Sequence, residues 1–596
     1  VQITEQLHLD GEAEQRGLDW RLLRRLGEFL RPHLWWVLAG LGIAIATSAI
    51  APVRPYLSKI AVDEYLLVGK WSGFVGMLAA IGGVVLLTAA LQYGRTYLLQ
   101  WIGQRVLFEI RLRLYEHVQR LAIAFFDRTP VGRLVTRVTN DVEGLSELLS
   151  SGLVLLIADV LLLFWIVGFM LATEWRLALL TLSVMPILIA ASIVFRIKVR
   201  RAYRLLRQQL ARLNGFLSEY IGGIATTQLF GQQERQFARF ERLNRRYRDL
   251  YHRVVFYYAV FFPTVDLVWA LAIVLILWYA AGALGHSLSV GTLLAFMQYV
   301  EMFFRPIRDL TERYNTLQSG LVAAERIFGL LQVQQFIEDR PDAQPMPPLQ
   351  RGIEFRNVSF SYDGRTPVLR NVSFFVGKGE IVAIVGATGA GKSTVAALLC
   401  RMYEPQQGDI LIDGRSIRCI TQQSLRQRIA LVLQQDVLLS RTVEENIAFG
   451  RPGITRARIE ETLQWLGLQP FIERLPQGLD TRLGERGVNL SAGERQLIAL
   501  CRAVVGNADV IVLDEATAHV DSLTEELIGK ALERIRGHRT LLVIAHRLAT
   551  VQGADRIVVL HRGEVRELGT HEELLAAGGI YARLYRLQAM AQGVAG

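Results

Sequence analysis

Gly386-Ala-Thr-Gly-Ala-Gly391-Lys392-Ser393 follows the apolar run Ile381-Val-Ala-Ile-Val385 and leads through Thr394 into a helical pattern. A strand that ends in glycines and turns into a helix aims several backbone N–H groups, and the positive end of a helix dipole, at one spot. That spot suits phosphate. Lys392 can reach the β and γ phosphates, and the Ser393 hydroxyl can ligand Mg2+. Gly386, Ala387, Thr388, Gly389, Ala390, Gly391, Lys392, Ser393 and Thr394 are therefore the expected cradle for ATP or GTP.

Other strand ends in the same half carry chemistry. Val510-Ile-Val-Leu-Asp514-Glu515 is an apolar strand closing on two carboxylates. Asp514 is placed to hold Mg2+ through water, and Glu515 to orient and deprotonate an attacking water. Leu541-Leu-Val-Ile-Ala-His546 ends in a lone histidine, which is as readily structural as a reader of the γ-phosphate. Upstream, the alternating run that ends at Tyr362 offers an aromatic ring that could stack on a base.

The chain has 596 residues, 51% of them hydrophobic, and a mean hydropathy of +0.28. Its apolar residues crowd before about Phe304, whereas the remainder reads as a soluble α/β domain. Runs at 34–52, 73–91, 152–172, 177–195 and 255–284 each have about the 20 residues a helix needs to cross roughly 30 Å of hydrocarbon. A sixth, 290–307, is interrupted by Glu301 and Arg305 and is counted because the charge pattern demands an even number. The long segments 92–151 and 196–253 are rich in arginine, and the links at 174–176 and 285–287 are short. Basic loops inside place both termini in the cytoplasm of a multi-pass cell-membrane protein. The same rule accounts for the net charge of +11, so no nucleic-acid partner is expected.

The long loops have helical periodicity, so the spans are expected to run past the bilayer as antiparallel hairpins. Their tips fall near Phe125-Phe-Asp127-Arg-Thr-Pro130-Val-Gly132 and near Tyr220-Ile-Gly-Gly223-Ile224. A solvated turn explains the glycines but not exposed phenylalanines, so the tips are expected to dock in a groove of another domain. Residues 18–31 read as an amphipathic interfacial helix. Asp159, Asp266 and Glu301 lie inside apolar runs, where each is costly unless it faces water or protein. They line a water-filled cavity or pair between helices. Residues 339–348, from Asp339 to Pro348, cannot continue a helix and read as a linker. Cys400, Cys419 and Cys501 show no metal-ligand spacing and read as reduced thiols.

Leu490-Ser491-Ala492-Gly493-Glu494-Arg-Gln496, taken with Gln434, Glu515 and His546 in this order, resembles the ABC ATPases. With the six-span half before it, the chain resembles an ABC exporter half-transporter: an all-α polytopic transmembrane domain with six long helices, then an α/β P-loop ABC ATPase domain. It is most similar to one subunit of the heterodimeric bacterial multidrug exporters, and similar in plan to the antigen-peptide transporter. The resemblance implies a tail and elbow helix over 1–32, a transmembrane domain over 33–325, a linker over 326–350 and a nucleotide-binding domain over 351–596. It implies that Tyr362 stacks on adenine, that Gln434 contacts Mg2+ and that His546 is the switch histidine. Gly484 to Gly487 would touch the partner's hairpin tips. Ser491, Ala492, Gly493 and Glu494, with Asp521 of the D-loop, would clasp ATP bound on the opposite subunit.

The departures carry information. The family signature is LSGGQ, whereas this chain has Leu490-Ser-Ala-Gly-Glu494, and Ala518-His-Val-Asp521 stands where Ser-Ala-Leu-Asp is typical. A methyl where backbone approaches phosphate, and a carboxylate where an amide is usual, should weaken a phosphate clamp. The expectation is a heterodimer with one degenerate ATP site, exporting amphipathic drugs, lipids or peptides by alternating access. A homodimeric exporter, a lipid flippase and an ATP-gated channel on the same scaffold are the alternatives.

Overall fold

The computed structural model describes residues 20–148, 153–283, 288–433, 437–451, 453–514, 522–545 and 551–591. It divides into two compact units that are not contiguous in sequence. One comprises Val1–Val118 with Gly132–Val333, the other Gln119–Val131 with Gln334–Gly596.

The first unit is helical. The amphipathic stretch forms α1 (Trp20–Leu30), and the first apolar run forms α2 (Leu34–Ile50), followed by α3 (Val53–Ile60). α4 (Trp71–Arg120) is unbroken for 50 residues, roughly 75 Å at 1.5 Å per residue. It therefore runs well beyond a bilayer core, as expected from its periodicity. At its far end, past the first unit, stands the short α5 (Ile123–Arg128). α6 (Leu153–Thr173), α7 (Trp175–Leu182), α8 (Met185–Gly222), α9 (Gln233–Ala283) and α10 (Val290–Leu331) follow, with short helical pieces at Val131–Thr136, Val142–Glu147 and Ile224–Leu229 besides.

Among the described residues, five helical stretches are long and apolar enough to cross a membrane: Arg24–Leu66, Trp71–Arg120, Val154–Thr173, Trp175–Gly222 and Gln233–Gly282. α10 is a continuous helix of 42 residues, but Glu301 and Arg305 keep its apolar part below that level. The helices bury a shared core in which Phe195 stacks on Phe261 at 4.0 Å and Phe296, Tyr299 and Val300 are fully enclosed. Leu86, Phe164, Leu267 and Trp278 instead face outward, as a lipid-facing surface requires. Where the chain breaks between α2 and α3, the Tyr299 hydroxyl donates to the Pro52 carbonyl at 3.1 Å, which satisfies a backbone group that hydrocarbon could not.

The second unit is α/β. β1 (Gly352–Phe360), β2 (Leu369–Gly377), β4 (Gln407–Ile412) and β5 (Arg415–Ser416) form an antiparallel sheet in the order β2-β1-β4-β5. β3 (Ile381–Val385), β6 (Ile429–Val432), β7 (Val510–Asp514), β8 (Thr540–Ile544), β9 (Arg556–His561) and β10 (Glu564–Gly569) form the other, in the order β10-β9-β3-β8-β7-β6. Only the β9–β10 pair of that sheet is antiparallel. β3, β7 and β8 are buried at every residue, as a parallel sheet covered on both faces should be.

Strand alternation sorts these residues into two cores. Ala383, Ile511, Leu513, Leu541 and Val543 pack with α12 (Ala492–Val505). Val382, Ile384, Val510, Val512, Leu542 and Ile544 pack with α11 (Lys392–Leu399). The helix after the glycine loop and the helix after the Leu490-Ser491 stretch thus cover opposite faces of one sheet.

The candidate ATP site and the family of the chain

The loop after β3 turns because two glycines take left-handed backbone, Gly389 at φ +82° and Gly391 at φ +99°. A Cβ on Gly391 would stand 2.5 Å from Leu369 Cδ2 and 3.1 Å from the Val368 carbonyl, so only glycine fits there. α11 then starts with no side-chain cap, which leaves its first N–H groups to a ligand. Ala387, Thr388, Gly389 and Ser393 are exposed on this edge. Lys392 is buried beneath it, with Nζ donating to the carbonyls of Gly386 (2.7 Å) and Ala387 (3.2 Å). Burial pulls its ammonium below the usual lysine range, and Asp514 opposes that shift.

Asp514 closes β7, buried and in register with Ile544 of β8, itself level with Ile384 of β3. The sheet therefore delivers the glycine loop and this carboxylate to one edge. The donors assembled there, an exposed hydroxyl on Ser393 and a carboxylate on Asp514, are hard oxygens of the kind Mg2+ takes. Glu515, His546, Gln434 and Asp521 lie outside the described residues.

Tyr362 is tied to the same helix. Its hydroxyl shares a hydrogen bond with Thr394 Oγ1 at 3.1 Å, and its ring stands edge-on to Phe360 (4.9 Å) and Tyr403 (5.1 Å). The turn after it is held by Asp363, which accepts from Thr366 N (2.7 Å), Arg365 N (2.8 Å) and Ser361 Oγ (2.8 Å). Hydrogen bonds from the Thr366 and Arg365 backbones hold that carboxyl well below the ordinary range. Arg128 of α5 donates to the Tyr362 carbonyl at 2.5 Å. Phe125 beside it is buried, so this tip docks as its aromatic content requires. Arg128 is a contact that sequence reasoning missed. The one pointer was a charged pair, Asp127-Arg128, placed directly after two phenylalanines.

At the start of α12, Ser491 Oγ accepts from Glu494 N at 3.2 Å, and the Glu494 carboxylate accepts from Ser491 N at 2.7 Å. This is a complete capping box. Ser491 and Ala492 are exposed and Gly493 is buried. Glu494 is thus turned back on its own helix, a role its three-residue spacing from a serine could have announced. In the helical unit Asp159 is half-buried on α6, while Asp266 on α9 and Glu301 on α10 are exposed, so three separate helices carry them. Cys400 and Cys501 are buried, each thiol pushed up to about 12 by burial. Burial thus keeps both as protonated thiols.

Residues 37–307 match the ABC transporter transmembrane region and residues 369–518 the ABC transporter family. An ATP-dependent lipid A-core flippase of Syntrophus aciditrophicus (strain SB) is 36% identical over 576 residues, 95% of this chain and 94% of the relative. A probable multidrug resistance ABC transporter ATP-binding/permease protein of Bacillus subtilis (strain 168), YheH, is 35% identical over 520 residues, 87% and 77% of the two chains. The structure of a bacterial Atm1-family ABC exporter with ATP bound superposes with a TM-score of 0.74 at 29% identity, covering 94% of this chain and 98% of that one. A helical membrane region and a phosphate-cradling α/β unit, joined on one polypeptide along nearly the whole length of such relatives, make this chain a member of the ABC exporters, multi-pass membrane proteins that couple ATP hydrolysis to transport.

Proposed function

We propose that this chain is one half of a heterodimeric exporter that moves amphipathic drugs, lipids or peptides out of the cell by alternating access. The observation that carries the two-subunit reading is the placement of α11 and α12 on opposite faces of one sheet. A nucleotide lying on the N-terminus of α11 is approached by a signature segment only if that segment comes from another ABC unit. The altered residues Ala492 and Glu494 favour unlike halves, with this chain's signature serving the weaker site.

In this reading Gly386 to Thr394 cradle the phosphates, Tyr362 stacks on the adenine and Lys392 neutralises the β and γ phosphates. Mg2+, held by Ser393, Asp514 and Gln434, would supply further charge neutralisation at the phosphoryl oxygens. Glu515 takes a proton from the attacking water, and His546 reads the γ-phosphate. Closure of two ABC units on ATP is carried to the membrane helices by the tips near Phe125 and Gly223, and product release resets them. Both termini face the cytoplasm, and Asp159, Asp266 and Glu301 face cargo or water. The similarity to lipid A-core flippases favours lipid as the cargo, and a second reading has two copies of this chain form the exporter.

Two measurements test this. Glu515→Gln should lower ATP turnover about 10²-fold or more if Glu515 is the general base, and near-normal hydrolysis would refute that role. Purification in mild detergent should yield a second, different half-transporter in equal amount, whereas a single polypeptide with full cargo-stimulated ATPase would establish the homodimer. Uptake of a cargo panel into inverted vesicles then separates lipid from drug and peptide.

A further inference from the structure

Two stretches of the second unit are continuous along the chain with membrane helices: the α5 tip follows α4, and the segment from Gln334 follows α10. Both end on the residues that immediately follow α11. Arg401 is only 1% exposed and has left-handed backbone, φ +50°. Its guanidinium donates from Nη1 to Asp339 Oδ1 (3.0 Å) and to the Ile420 carbonyl (2.9 Å), from Nη2 to the Glu338 carbonyl (3.0 Å), and from Nε to Glu404 Oε1 (3.0 Å). Asp339 also accepts from Gln422 N, 3.1 Å to each oxygen. The start of the segment that reads as a linker is therefore clamped to the ABC core.

Two positions on, the Tyr403 hydroxyl donates to the Asp127 carboxylate of α5. Burial, with Asp127 beside it, keeps that phenol above its usual range and therefore a neutral donor. The two stretches also meet each other: Ala122 N donates to the Gln335 carbonyl at 2.8 Å, and Arg120 lies over the Phe336 ring at 5.8 Å.

We propose that Arg401 and Tyr403 form a relay at the C-terminal end of the glycine-loop helix, through which nucleotide at its other end is registered by the α5 tip, through Asp127, and by the 334–345 segment, through Asp339. The relay rests on the reading of Gly386 to Ser393 as the ATP cradle. α11 has eight residues, about 12 Å of rigid rod, so a shift at its N-terminus appears at Arg401. A buried guanidinium cannot drop one partner without leaving an N–H donor unsatisfied in low dielectric. Displacement is therefore passed on to Asp339 rather than absorbed. Arg401 and Tyr403 touch no substrate and are positioning residues.

The test is hydrogen exchange on the purified full-length assembly, with and without AMP-PNP and Mg2+, alongside equilibrium binding of the same nucleotide. Wild type should slow exchange in both 119–131 and 334–345 when AMP-PNP binds. Tyr403→Phe keeps the ring and removes the hydrogen bond. It should abolish the response of 119–131 alone, with AMP-PNP affinity within about twofold of wild type, since a net hydrogen bond is being removed away from the ligand. Asp127→Asn should reproduce that pattern from the other side, and Asp339→Asn should abolish the response of 334–345 alone. Responses that persist in the variants, or that vanish in both segments together with a fall in melting temperature, would overturn the relay. A wild-type assembly that binds no AMP-PNP would instead remove the ATP-cradle reading, and the relay with it.

Discussion

Two helices of the ABC unit begin in opposite ways. α11 springs from a left-handed glycine, and no side chain caps its first N–H groups. α12 springs from Ser491, whose hydroxyl and backbone N–H are both engaged with Glu494. Each N-terminus carries the same dipole, yet only the first leaves its opening turn to an external anion. The second is partly satisfied from within and adds a carboxylate beside the place where an anion would sit. Which of two similar motifs grips phosphate harder is therefore decided by what already satisfies the helix start.

The comparison can be broken or sharpened by substitution. The largest effect is expected from Lys392→Ala, which removes the ammonium under the loop and should cut ATP hydrolysis by about 10²-fold or more, as loss of a positioned charge at a transferring phosphoryl group does. A phosphate-release assay that shows normal turnover would leave the α11 start without its claimed role. Next comes Gly391→Ala. A side chain at φ +99° and 2.5 Å from Leu369 stores about 1–3 kcal/mol of strain. It should lower nucleotide affinity about tenfold, read by equilibrium binding, and reduce the melting temperature.

Ser491→Ala is expected to take about 1 kcal/mol from α12, the usual worth of a serine cap. It should weaken ATP binding at the partner's site while this chain's own loop binds nucleotide as before. The smallest change is Glu494→Gln, which still accepts from Ser491 N but carries no charge. Nucleotide trapping at the partner's site should tighten by about twofold to fivefold at low salt, and less at high salt. Trapping unchanged by this substitution would show that the Glu494 charge does not set the grip of this segment on nucleotide.

Much of the architecture was legible because its signals are local. The strand, glycine turn and helix around Lys392 follow from residue order alone, and the long spans follow from runs of apolar residues. α10 was marginal in sequence for the same reason it is marginal in hydropathy: Glu301 and Arg305 interrupt it. What could not be read depends on tertiary partners far apart in the chain. Pro341 and Pro345 end a helix but say nothing of whether the segment is loose, and it is the distant Arg401 that fixes Asp339. Asp127 and Tyr403 are 276 residues apart, and neither belongs to a motif. Phe125 was readable as a docking residue, because an aromatic tip needs cover, but its contact with the tyrosine loop through Arg128 was not. Glu494 was read as a flaw in a clamp, whereas the serine three residues earlier gives it a structural task as well.

Ser491 shows how one hydroxyl can cap a helix and still have a proton to offer. Its oxygen lends a lone pair to Glu494 N, and that leaves its single proton uncommitted, since a hydroxyl is both donor and acceptor. Fastening the first turn and greeting a phosphoryl oxygen are thus compatible rather than rival duties. Threonine could inherit both, whereas asparagine could fasten the turn but would present an amide from a longer stem.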